Sequence, residues 1–171
     1  MIKWALHKAI NRFEREWNYD AGYMHDMIEA SPRAAWLFSR VVALGQFRRD
    51  LPIEAWCAAG LTAVRHEDCG PCVQIVVNLA KKDGVAPEVL QSALAAGPDA
   101  LPQDLADAYR FAEAVVTRSG DEDLFRERIR QRHGEAGLVE MALAVAVCRI
   151  FPTVKRGLGY ATSCSKVTVQ V

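Results

Sequence analysis

The chain has 171 residues, enough for one well-buried core and too few for two independent domains, so a single domain over 1–171 is expected. Its 21 Lys and Arg balance 21 Asp and Glu, leaving no net field to gather nucleic acid or an anionic membrane surface, and neither is expected as a partner. With 51% hydrophobic and 25% charged residues the composition is that of a self-folding globular protein, not a disordered one.

Lys3, His7 and Lys8 interrupt the apolar residues at the start, so no secretory h-region forms there. The most apolar segment, 138–147, carries Glu140 and is shorter than a membrane span. These features predict a cytoplasmic protein. The five cysteines (57, 69, 72, 148 and 164) are an odd number, and in a reducing compartment the C-x-x-C among them, Cys69 and Cys72, points to redox or metal chemistry more than to a structural disulfide.

Taken in order, Ile2, Leu6, Ile10, Phe13 and Trp17 recur at helical spacing beside a charged face, which predicts a first amphipathic helix. A turn over 18–22 precedes a short helix around Tyr23, Met24, Met27 and Ile28. Ser31 and Pro32 then supply an N-cap and a first-turn residue for a third helix bearing Trp36, Leu37, Val41, Leu44 and Phe47. These helices form an N-terminal part, 1–50.

Pro52 opens a fourth helix rich in small residues, with Ala59, Gly60 and Ala63 allowing a neighbouring backbone close. It leads to the polar turn Arg65-His66-Glu67-Asp68-Cys69-Gly70-Pro71-Cys72 and the apolar run Val73, Ile75, Val76, Val77 and Leu79. Pro71 marks a helix start, which puts Cys69 and Asp68 near its N-cap and Cys72 in its first turn. The free N–H groups and the positive end of the helix dipole there favour thiolate over thiol. Arg65 and a protonated His66 add to that effect while Glu67 and Asp68 oppose it. Lys81, Lys82 and Gly84 close this helix, Pro87 opens another that ends at Gly97-Pro98, and the segment 51–97 forms the cysteine-bearing core.

From Pro102 a longer helix carries Leu105, Ala108, Tyr109, Ala112 and Val115 to a stop at Ser119-Gly120. A mixed-charge helix follows over 121–132, and Gly134 and Gly137 precede a buried apolar helix from Leu138 to Phe151. Pro152 predicts a break, with a last helix over 153–161 and a strand-like tail over 166–171. The whole therefore reads as all-α, with 98–171 supplying C-terminal helices and tail.

An all-helical domain with a C-x-x-C opening one helix, a cap at Gly84 and a following proline-initiated helix resembles the alkylhydroperoxidase D-like, or carboxymuconolactone decarboxylase, family. The likeness is clearest over 51–97. It implies a homo-oligomer, commonly a trimer or hexamer. It also implies a Cys69/Cys72 pair that cycles between dithiol and disulfide, acting on a peroxide or serving a partner oxidoreductase. The family's relay histidine, one turn after the second cysteine, is Val76 here. Its upstream glutamate falls at Cys57, or at Glu54 across a short insertion, and Pro71 stands where some members carry a histidine between the cysteines. His66 and Glu67 are the remaining proton sources. The tetrapeptide Cys69-Gly70-Pro71-Cys72 equals the thioredoxin active-site sequence too, but the helices predicted on both sides make that identity a convergence.

Three functions follow as expectations. A thiol–disulfide oxidoreductase or peroxidase would use Cys69 and Cys72 with His66, Glu67 and Glu54, need no cofactor, and act on a small peroxide or disulfide with a redox partner protein. A non-catalytic helical oligomer with a binding or regulatory role is the alternative that Val76 motivates. A metal site from Cys69, Cys72, His66 and either Asp68 or Cys57 ranks below both, because one C-x-x-C is half of a zinc shell.

Overall fold

The computed structural model describes residues 2–160 and is all-α. Its helices are α1 (Ile2–Trp17), α2 (Gly22–Ala30), α3 (Pro32–Gly45), α4 (Ile53–Arg65), α5 (Gly70–Lys82), α6 (Pro87–Gln91), α7 (Gln103–Thr117) and α8 (Glu122–Gly157). A π-helical turn, Ser92–Ala96, and a 3-10 turn, Pro98–Ala100, join α6 to α7. No strand occurs among the described residues; the strand expected at 166–171 and Cys164 lie outside them.

The small residues of α4 decide the packing. Every residue from Ala55 to Val64 is buried, with α5, α7 and α8 around it. A Cβ on Gly60 would lie 2.9 Å from the Cys148 sulfur of α8, so any larger residue forces these two helices apart. Helices α1, α2 and α3 form an outer group with a small second core, in which Tyr19, Ala21 and Tyr23 are packed by Ile10, Phe13, Trp17, Ile75 and Val154. This cluster joins the N-terminal helices to α5 and α8.

Ser31 caps α3 as expected, its hydroxyl accepting from Ala34 N at 3.3 Å, with Pro32 in the first turn. The break expected at Pro152 is absent. Helix α8 continues to Gly157, and its one residue of non-helical backbone is Gly134 (φ 70°, ψ −177°), which separates the charged half from the apolar half. A proline removes one N–H and crowds the preceding turn, but a helix packed along its length bends there instead of ending. The separate helix expected over 153–161 is therefore the end of α8. Residues 122–157 are long and apolar enough to cross a membrane by length and composition alone, and half of the apolar window is buried inside the protein.

Glu140 interrupts that apolar half for a structural reason. Its buried carboxylate accepts from the backbone N–H groups of Arg49 (2.9 Å), Asp50 (3.1 Å) and Leu51 (2.9 Å), fixing the segment that enters α4. Burial raises this carboxyl, and the three N–H donors outweigh it and hold the group below the usual glutamate range. A lowered carboxyl contributes stability that is complete above the ordinary value of about 4.3 and fades as pH falls through the folded one. Glu140→Gln should therefore cost about 2–4 kcal/mol at pH 7 in urea unfolding. Repeating the titration at lower pH should show the difference between variant and parent narrowing below about pH 4.

Candidate redox site at the cysteine turn

Helix α4 ends at Arg65, with His66 as its C-cap, and the chain reverses at Asp68 in the left-handed region (φ 52°). Aspartate tolerates that conformation better than most residues with a Cβ. Cys69 follows as the N-cap of α5, Gly70 and Pro71 are its first two residues, and Cys72 completes the turn. The two cysteines form a disulfide with Cα atoms 5.2 Å apart, inside the span that a strain-free bridge requires. Both are buried, Cys69 at 6% exposed and Cys72 at 3%. The Cys69 side chain accepts no hydrogen bond from the first turn of α5.

Glu67 is buried in the turn and held by α8. Arg149 Nε donates to its Oε1 at 2.6 Å, Arg156 Nη1 to its Oε2 at 3.3 Å, and Arg156 Nη2 to its backbone carbonyl. A carboxylate clamped by two guanidiniums positions the turn and is poorly placed to shuttle protons. Arg65 faces elsewhere, donating to the Ala93 carbonyl at 2.9 Å and to the Tyr109 hydroxyl at 3.4 Å. His66 is exposed and its side chain makes no hydrogen bond or ion pair among the described residues.

Glu54 sits in the first turn of α4, roughly 16 Å of helix from Arg65, so the structure does not bring it to the disulfide. Its charge instead bears on Cys57. Burial, the neighbouring Cys148 and Glu54 push the Cys57 thiol up to about 12, and burial does the same to Cys148, so both free thiols stay protonated. Val76, at the relay position of the resembled family, is buried and apolar. Trp56 packs against Gly60, and Trp36 is exposed beside Arg40. Among the described residues no three His, Cys, Asp or Glu side chains converge as a metal site requires.

On the other side of the disulfide stand residues that the sequence did not single out. Asn18, left-handed at φ 47°, turns the chain from α1 so that Tyr19 lies over α5 with its hydroxyl 4.0 Å from the Cys72 sulfur. Lys155 of α8 is buried with its ammonium 4.9 Å from the Tyr19 ring centre and 5.9 Å from that of Tyr23. Glu14 braces this turn by accepting from Ala21 N at 3.0 Å. His7 and His25 tie α1 to α2, their Nδ1 atoms 2.7 Å apart and their Nε2 atoms against Glu29 (2.8 Å) and Glu14 (3.3 Å). These two histidines fasten the helix pair that carries Tyr19.

The clamp on Glu67 should show an asymmetry in urea unfolding. Glu67→Gln leaves two half-exposed guanidiniums that water can solvate, a loss of about 1 kcal/mol. Removing both cations as Arg149→Gln with Arg156→Gln strands a buried carboxylate and should cost about 3 kcal/mol. No protein-family model, curated protein or solved structure matches this chain, so the chemistry of the cysteine turn stands on its own geometry.

Proposed function

We propose that the chain is a thiol–disulfide oxidoreductase whose reacting group is the Cys69–Cys72 pair. The observation that carries this reading is a disulfide spanning the first turn of a helix, with the Tyr19 hydroxyl 4.0 Å from the Cys72 sulfur, the Lys155 ammonium against the Tyr19 ring, and Arg149 and Arg156 of α8 gripping Glu67 of the adjoining turn. A helix N-terminus and nearby cations stabilise the thiolates into which the disulfide opens, which makes it reducible and makes the dithiol a usable nucleophile. Substrates of this reading are a small disulfide or peroxide, with a thiol or a partner oxidoreductase returning the pair to its starting state. Thiol–disulfide exchange is preferred to peroxide reduction because Val76 is apolar and Glu67 is clamped by Arg149, so neither serves as a base to activate a peroxide.

The alternative, a helical oligomer without catalysis, is favoured by one feature. Trp36, Leu37, Val42, Leu44 and Phe47 of and beside α3 are exposed, an apolar surface suited to a second copy of the chain. The two readings are compatible, and assembly as a trimer or hexamer is part of the proposal.

No Lys or Arg occurs between His66 and Lys81, so trypsin releases both cysteines on one peptide whose mass reports the disulfide. Equilibrating the native protein in a series of glutathione buffers and trapping thiols by alkylation should show that peptide gaining and losing two protons reversibly. The Cys69→Ser/Cys72→Ser variant should lose all disulfide-exchange activity. A disulfide that persists through the whole series would mean a structural crosslink and leave the oligomer reading.

A further inference from the structure

We infer that Tyr19 is a catalytic residue of this disulfide, its phenol donating to the Cys72 sulfur as the S–S bond opens, with Lys155 as the positioning cation behind it. The inference rests on the oxidoreductase reading and adds to it the group that stabilises the leaving sulfur and the cysteine that leaves.

Tyr19, Tyr23 and Lys155 meet beside Cys72 at 8%, 0% and 5% exposure. Little in folding alone requires such a trio. Among the described residues no carboxylate stands within ion-pair distance of the Lys155 ammonium, which lies against the two tyrosine faces instead. Cation–π contact returns only part of the cost of burying an ammonium. The Tyr23 hydroxyl is fully buried beside that of Tyr19 and has no hydrogen-bond partner within ordinary distance among the described residues. A buried ammonium and an unsatisfied hydroxyl both lower stability, and such groups gather where charge must be met during a reaction. The trio reaches the disulfide through the Tyr19 hydroxyl, 4.0 Å from the Cys72 sulfur.

Charge accounting around the sulfurs agrees. The Tyr19 turn brings Asp20, which is exposed, and α2 brings the neutral Tyr23. The α4–α5 turn brings Glu67, already matched by Arg149 and Arg156 of α8, with Asp68 and His66 exposed. Among the described residues Lys155 is thus a buried cation behind Tyr19 that no carboxylate pairs directly, although the charge of exposed Asp20 acts on it. Burial pushes the Tyr19 phenol up, away from the range in which ordinary thiols ionise, which favours its role as a donor.

In the reductive half-reaction an external thiolate attacks the Cys69 sulfur. A bond forms between the two, the Sγ–Sγ bond breaks, and its electron pair passes to Cys72, which leaves as a thiolate accepting from the Tyr19 hydroxyl and stabilised by Lys155. A second external thiolate attacks the external sulfur of the mixed disulfide, expelling the Cys69 thiolate. Two thiols are oxidised to one disulfide, the Cys69–Cys72 bond is reduced, and the two protons the thiols released end on the two cysteines. In the reverse direction the same contact holds Cys72 as the thiolate that resolves a mixed disulfide on Cys69.

The test is the rate at which dithiothreitol reduces the oxidised protein, compared at equal dithiothreitol thiolate. Tyr19→Phe keeps the ring over Lys155, and Lys155→Met keeps the aliphatic stem. Each should slow reduction about tenfold, the worth of one charge-assisted hydrogen bond, and the double variant should be little slower than either single one. Lys155→Arg should recover most of the rate. In reduced Cys69→Ser protein, the pH titration of thiolate absorbance from Cys72 should move to higher pH when Tyr19→Phe or Lys155→Met is added, a readout that loss of packing alone does not produce. A Tyr19→Phe protein that is reduced at the parental rate with an unmoved titration overturns the inference, whatever Lys155→Met does. Parent protein that no thiol reduces overturns the oxidoreductase reading instead.

Discussion

Both ends of α4 are fastened to α8 by a buried carboxylate, and the placement of the cysteine turn depends on this double anchorage. At the entrance Glu140 of α8 gathers the three N–H groups of Arg49, Asp50 and Leu51; at the exit Arg149 and Arg156 of α8 grip Glu67. Between them the small residues of α4 lie so close to α8 that Gly60 has no room for a Cβ. Burial of α4 stabilises the pair through apolar contact, but apolar contact alone lets one helix slide along another. Two charge-assisted clamps a full helix apart set the register, and so fix where α5 begins.

Much of this architecture is legible in the sequence. Proline at or next to the first turn of α3, α4, α5, α6 and α7, with Ser31 as an N-cap, sets helix starts that the fold reproduces, because those residues act locally on φ and on orphan N–H groups. The cysteine pair and its helix were legible for the same reason. Pro152 was misread because a proline's local preference was outweighed by the neighbours that hold α8 on both sides. The apolar period of α8 likewise marked the helix but gave no hint of the backbone break's conformation at Gly134.

The candidate site was only half legible. Residues contiguous with the cysteines could be named, and the sign of the field around them could not, because charges adjacent in sequence need not face the same way. Arg65 turns to Ala93, His66 turns to water and Glu67 turns inward. The cations that count come from α8, some eighty residues on, where Arg149 and Arg156 lie seven apart on one face with Lys155 beside them. Tyr19 lies about fifty residues before the pair, in a stretch whose composition suggested no more than a turn. A buried Lys155 leaves one trace, a basic residue in a helix whose neighbours are apolar, and that trace is equally common at solvated helix ends.

The same distribution explains how a buried disulfide can be chemically active on a helical scaffold. A helix N-terminus supplies partial charge by itself, but its reach is one turn and it acts on both sulfurs alike. Distinguishing them takes groups placed unequally. Cys69, at the N-cap, adjoins the turn that Glu67 and its two arginines hold, and Cys72, one turn in, has the Tyr19 hydroxyl 4.0 Å from its sulfur with Lys155 against the Tyr19 ring. The first environment holds the backbone and the second offers a hydroxyl donor at the sulfur with a cation behind its ring. In the proposed chemistry, attack on Cys69 with departure of Cys72 is the direction in which developing negative charge meets a donor, and the α1–α2 turn that brings Tyr19 would make the N-terminal helices part of the reacting unit.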